Sequence, residues 1–223
     1  MSAITPTPAR VTPSARVTLS DRIATSARTG RDAVARDAAL IISGAALVAG
    51  LAQASIPMFP VPITGQTLGV LLVGLTLGMR RGGLALLLYG VVALAGAPIL
   101  AGGAGGLASF GSPSFGFVIG FIPAAALAGW LAEKRWDRTV LKTLAAGSAA
   151  SVVPFLVGVP WLYASLDRLG PTVWQGEMGA HSVLEAAIAG GVTPFLLGGL
   201  VKAAIAAIVL PAAWQSVRRI DKL

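Results

Sequence analysis

No cysteine occurs among the 223 residues, which removes disulfides, thiolate metal sites and thiol nucleophiles. Histidine is almost as scarce. His181 stands alone, so a paired-histidine zinc motif is excluded. Charge is thin as well, at 12% of residues against about 25% in soluble domains. No Asp or Glu falls inside any long apolar run, and no Gly-Lys-Ser/Thr follows a glycine-rich loop, so the chain has no phosphate loop of its own. What is present is apolar: 55% hydrophobic residues and a mean hydropathy of +0.80. Glycine (28) and proline (14) are plentiful, as they are in membrane helices. So few charges cannot solvate a soluble globule of this length, whereas a bilayer accommodates the chain as about six spans of roughly 20 residues.

The predicted architecture is an all-α integral membrane protein of six transmembrane helices with both termini cytoplasmic. Residues 1–32 are expected to form a disordered cytoplasmic tail, rich in Thr, Ser, Pro, Ala and Arg and without an apolar period. A cleavable signal is not expected, because no apolar core precedes Ala38. The Arg-rich, acid-poor character of the tail also fits a transit peptide. A six-helix membrane domain is expected over 33–217 and a short cytoplasmic tail over 218–223. The spans read as 38–56, 65–79, 84–101, 114–132, 144–163 and 187–214. Between the first two, Pro57, Pro60 and Pro62 rule out a regular helix.

The formal charge of +8 is distributed as membrane topology rather than as a nucleic-acid surface. Of the 17 basic residues, all but Arg168 and Lys202 fall on the tail, the 80–81 turn, the 133–142 loop or the C-terminus. Basic loops stay in the cytoplasm. The Pro-rich, Gly-rich and longer polar loops therefore face outward, and a multi-pass protein of the cell membrane is expected.

Lys202 is the most informative residue. It lies deep in the sixth span, where an ionised side chain costs about 2.5–3.5 kcal/mol, and too far from either end to snorkel. A lone intramembrane cation calls for an anionic partner, and a ligand carboxylate would supply one. Thr64 and Gln66, at the mouth of the second span, either cap a helix or bind a ligand. Gly102 and Gly103, in Ala101-Gly-Gly-Ala-Gly-Gly-Leu, either let backbone approach a ligand or make a flexible connector. Glu177, His181 and Glu185 are spaced four apart, so a helix would place them on one face. They fit a solvated segment better than a metal site. Trp161 and Tyr163 fit an interfacial aromatic belt. Ala45/Ala49 and Ala46/Gly50 are small-residue pairs that permit close helix contact.

Four segments together make the chain resemble the BioY family, the biotin-specific S-components of energy-coupling-factor (ECF) transporters, over about residues 38–215. They are Val61-Pro-Ile-Thr-Gly-Gln-Thr-Leu-Gly-Val-Leu-Leu, the Ala101 glycine loop, Ser114-Phe-Gly-Phe-Val-Ile-Gly-Phe and Thr193-Pro-Phe-Leu-Leu-Gly-Gly-Leu-Val-Lys. The resemblance implies six transmembrane helices and an outward-facing biotin pocket. It also implies assembly with a transmembrane coupling subunit and two cytoplasmic ATPase subunits. Biotin is the ligand, with no cofactor and no bound metal; ATP is hydrolysed only by the partners. Lys202 matches the family's biotin-binding lysine. The acidic position three residues before it is Gly199 here. Gly102, Gly103, Gly116 and Phe117 match other pocket segments, which in some relatives carry an Asn and an Arg-Tyr pair absent here. Thr64, Gln66 and Trp161 complete the candidate substrate-binding set. Ala45 and Ala49 are the expected docking face for the coupling subunit. Two alternatives stay open: an S-component for a different small anionic vitamin, and an intramembrane enzyme, which would need His181 paired with a serine such as Ser109 or Ser112. A homo-oligomer is a further arrangement the sequence leaves open.

Overall fold

The structure, a computed structural model, describes residues 18–23 and 30–220, with side chains up to Val217. It is mostly helical: α1 (Leu19–Ile23), α2 (Gly30–Gln53), α3 (Gln66–Leu77), α4 (Met79–Leu94), α5 (Phe115–Glu133), α6 (Val140–Leu169), α7 (Pro171–Gly176), α8 (Val183–Gly191) and α9 (Thr193–Ile220). A small ribbon pairs β1 (Ser55–Ile56) antiparallel to β2 (Ile63–Thr64), with Ser55 opposite Thr64. The proline-rich residues between the strands form its turn, as their missing N–H groups and fixed φ angles require.

Among the described residues four stretches are long and apolar enough to cross a membrane: Gly30–Gln53, Phe115–Glu133, Val140–Leu169 and the α8–α9 run Val183–Val217. α3 is apolar but has 12 residues, about 18 Å of rise. α4 has 16, about 24 Å. The apolar run of 84–101 does not stay helical to its end, because the chain turns after Leu94. The apolar run of 187–214 is likewise not one helix: it breaks at Val192, between α8 and α9.

α5 forms the centre, packed by α3, α4 and α6. Small residues let the backbones close. A Cβ on Gly120 would lie 2.7 Å from the Pro154 Cα on α6, so only glycine fits that crossing. One buried cluster gathers Val48, Val73, Leu86, Tyr89, Phe121 and Leu162. A second gathers Leu71, Leu75, Ala146, Ala203, Leu210 and Trp214.

The end that carries the basic residues is tied by polar contacts. Gly78 alone joins α3 to α4, at φ 85°, a left-handed conformation that favours glycine. Glu133 Oε1 then accepts the Met79 N–H at 2.9 Å and so caps α4. Asp137, in the α5–α6 connection, is fully buried. Its carboxylate accepts the Trp214 indole N–H of α9 and the Arg138 Nε–H. Burial pushes the Asp137 carboxyl above its ordinary value, with Trp214 and Arg138 pulling the other way.

Part of the expected unstructured tail is ordered. Thr18, Leu19 and Ser20 are buried, and α1 packs on α3 and α9. Arg81 of α4 holds it there, pairing with Asp21 at 2.7 Å and with Asp37 of α2 at 2.9 Å. The segment is too short to show an apolar period, and its partner Arg81 lies 60 positions away. α2 already begins at Gly30. The rest of the expected tails, residues 1–17, 24–29 and 221–223, lies outside the described residues.

Candidate functional site

A cavity of about 190 Å³ opens between β2, the α3 N-terminus, the 100–114 loop, α5, α6 and α9. It lies toward the end of the molecule opposite the Arg81 and Asp137 contacts. Its walls are mostly apolar, with Phe117 as a hub. The Phe117 ring meets Phe155 edge-on at 6.1 Å and stacks with Phe195 at 6.4 Å. Polar groups reach the cavity from Thr64, Gln66, Thr67, Ser109, Ser112, Ser114, Ser151 and Lys202.

Lys202 sits on α9 and reaches across to the start of α3. Its Nζ donates to the Thr64 carbonyl at 2.6 Å and to Thr67 Oγ1 at 2.7 Å. An ammonium has three donors, so one is left for the cavity. Among the described residues no carboxylate pairs with it. Both acceptors it has are neutral, so its positive charge is solvated but not neutralised.

Gln66 is buried and holds a chain of hydrogen bonds beneath Lys202. Its Oε1 accepts from Thr64 Oγ1 at 2.9 Å, and its Nε2 donates to the Tyr89 hydroxyl at 2.7 Å. Tyr89 donates in turn to the Ile99 carbonyl at 3.1 Å, and Gln53 Nε2 donates to the same carbonyl at 3.3 Å. The network fastens α2, α3, α4 and the 95–100 turn around the cavity floor. Thr64 and Gln66 therefore both order the backbone and line the site.

Of the expected site residues, Lys202, Gly199, Thr64, Gln66 and Phe117 line the cavity together. Four others stand just outside it. Gly102 and Gly103 have φ of 68° and 72°, so the backbone turn itself requires glycine, and their neighbours Ala101 and Ala104 supply the lining. Gly116 is pressed against the Trp161 side chain. Trp161 packs with Phe110 at 5.0 Å and donates its indole N–H to the Ser112 carbonyl at 3.0 Å. It supports the wall instead of forming it. Sequence reasoning missed Thr67, Phe155, Phe195 and Ser151. Thr67 and Phe195 were within reach, since each lies inside a segment that carried the family resemblance. Phe155 and Ser151 had no such signal.

Two further groups of singled-out residues are placed as follows. Glu177, His181 and Glu185 do not share a helix face. Glu177 ends α7, His181 lies in the connection, and Glu185 is in the first turn of α8. There Glu185 accepts the His181 backbone N–H at 2.8 Å and receives its own cap from Ser182, as in a capping box. Ala45 is buried in the core, with Ala49 packed against it, so that face of α2 is occupied within the chain. The other small pair, Ala46 and Gly50, is exposed.

A family model described as the BioY family matches residues 20–219. The chain belongs to the BioY family. It is similar to the biotin transporter BioY of Rhizobium etli, with 35% identity over 185 residues, covering 78% of this chain and 90% of that one. The biotin transporter BioY of Rhodobacter capsulatus is 40% identical over 182 residues, with the same coverage. Among solved structures, the S-component for biotin from an ECF-type ABC transporter superposes with a TM-score of 0.57 at 25% identity, over 87% of this chain and 95% of that one. The BioY match takes in all of α1 but Leu19 and all of α9 but Ile220, so every residue lining the cavity falls inside it.

Proposed function

We infer that this chain is a biotin transporter subunit: an integral membrane protein, not an enzyme, that captures biotin in the cavity between α3, α5, α6 and α9. The observation that carries the reading is Lys202, a cation in an apolar cavity whose only partners among the described residues are neutral oxygens. Biotin brings an anionic tail on a small, largely apolar body, which suits such a site. Lys202, Thr64, Gln66 and Phe117 are the proposed contact residues, with Gly199 leaving room beside them. Gly102, Gly103, Gly116 and Trp161 shape the wall behind.

The charge distribution supports the orientation. Arg80 and Arg81, the 134–142 basic residues and the end of α9 gather at one end, as cytoplasmic loops do. The cavity end then faces outward, with six spans across the plasma membrane and both termini on its cytoplasmic side. The relationship to ECF S-components supports delivery of biotin to a transmembrane coupling subunit and two cytoplasmic ATPases. Docking is assigned to the exposed small-residue pair Ala46 and Gly50, because Ala45 is buried.

The test is titration of the purified full chain with biotin. Lys202→Ala should weaken binding by about 1.5–3 kcal/mol, the range for a charge-assisted hydrogen bond. Undiminished affinity would remove Lys202 from the site. Tighter binding of another small anionic vitamin would replace biotin as the ligand.

A further inference from the structure

α6 and α9 run antiparallel, and three contacts fix their register. Near the start of α6, Asp137 meets Trp214. Ten residues on, a Cβ at Gly147 would touch the Ala203 Cβ at 3.2 Å. Farther out, Phe155 and Phe195 both meet Phe117. One helical turn is about four residues, or 6 Å. Ser151 and Gly199 each lie one turn outward from the Gly147–Ala203 contact, so they stand at the same level. Both line the cavity, and Lys202 lies on the adjacent turn of α9.

The Ser151 hydroxyl is buried and has no hydrogen-bond partner among the described residues. A serine inside a helix ordinarily donates back to a carbonyl of the preceding turn. Ser165 on the same helix does so, to the Trp161 carbonyl at 2.9 Å, and Ser216 on α9 does so at 3.2 Å. Ser151 does not. A buried hydroxyl left unpaired is destabilising, so its persistence needs an explanation. At the level of Gly199 the facing helix offers no bulk: a Cβ there would have nothing within 4 Å. Ser151 is thus a cavity-lining residue with a buried, unpartnered hydroxyl and free space at the facing Gly199.

We propose that Ser151 is a ligand-binding residue whose hydroxyl donates to the same biotin oxygen that the Lys202 ammonium holds. Ser151 and Lys202 approach that oxygen from facing helices, across the room that Gly199 leaves. The shared chemistry is an oxygen acceptor, which biotin carries both on its carboxylate and on its urea carbonyl. The assignment rests on the biotin reading above.

The experiment is a biotin titration of the full chain in lipid nanodiscs, with thermal unfolding of the same samples. Ser151→Ala should weaken binding about tenfold, and Ser151→Thr, which keeps the hydroxyl, should stay within about threefold of the parent. Without ligand, Ser151→Ala should unfold no earlier than the parent, because no internal hydrogen bond is lost. Its stabilisation by saturating biotin should be smaller. In a Lys202→Met background the Ser151→Ala effect should shrink. Biotin with its carboxylate converted to an amide separates the two oxygens: the Ser151→Ala effect falls if the carboxylate is the acceptor, because the amide carbonyl accepts more weakly, and is unchanged if the urea is. Unchanged affinity in Ser151→Ala, an equal loss in Ser151→Thr, or earlier unfolding of unliganded Ser151→Ala would each overturn the proposal while biotin binding stands. A parent chain that binds no biotin overturns the functional reading and this assignment together.

Discussion

Tyr89 is fully buried, and its hydroxyl is both acceptor for Gln66 and donor to the Ile99 carbonyl. Tyr89→Phe therefore strands the buried Gln66 amide, while the Ile99 carbonyl keeps Gln53, and should cost about 1–3 kcal/mol of stability. Thermal unfolding reads this directly; an unshifted midpoint would mean that water replaces the phenol. Because the same network steadies Thr64 beneath Lys202, the variant should also bind biotin more weakly. At this scale the sequence exposed Lys202, since a charge in an apolar run is conspicuous. It did not expose Tyr89 or Ser151, whose chemistry depends on what faces them. At Gly102 and Gly103 the glycines answer to a positive φ, which sequence alone does not separate from close approach of backbone to a ligand.

α2 begins eight residues before and α6 ends six residues after the expected spans, their helices continuing through polar residues, whereas the apolar run of α5 could be located in the sequence to within one residue at each end, because the bilayer demands such runs. The break at Val192 could not, since the apolar character continues through it. Nor could α1, five residues held chiefly by the Arg81 side chain of a distant helix, with Arg36 of α2 also near Asp21 at 3.9 Å. That contact has a pH signature. Burial opposes ionisation of Asp21, but hydrogen bonds from Arg81 and Thr18 outweigh it and hold the carboxyl below its ordinary 3.8. A depressed folded-state pKa stabilises above the unfolded value and is lost as pH falls through the folded one. α1 should stay docked at neutral pH and release only in acid, whereas Asp21→Asn should release it at neutral pH. Amide hydrogen exchange at residues 19–23 distinguishes these, and equal protection in the variant would discount the ion pair. On α2, Ala46→Trp with Gly50→Trp should leave biotin binding intact and abolish copurification with the coupling subunit, since a Gly50 side chain meets open space. Ala45→Trp should instead reduce folded protein, because Ala45 is in the core. A doubly substituted α2 that still assembles and transports would reject the docking face.

Taken as a whole, the molecule is polarised: basic residues and ion pairs at one end, the cavity and its glycine-rich rim at the other. The lack of cysteine makes this simple to test. Ala108→Cys, exposed on the rim, should react with an impermeant thiol reagent in intact cells, and Ser216→Cys, exposed near the end of α9, should not. The reverse pattern inverts the orientation. The single-residue joint at Gly78 has a consequence for biogenesis. α3 is too short, at 12 residues, to partition into lipid by itself from a translocon that favours about 20 apolar residues. With one glycine between them, α3 and α4 have to leave the translocon as a hairpin that already carries its final turn. Damage at that joint would then show as protein that never reaches the membrane, not as a transporter of altered affinity.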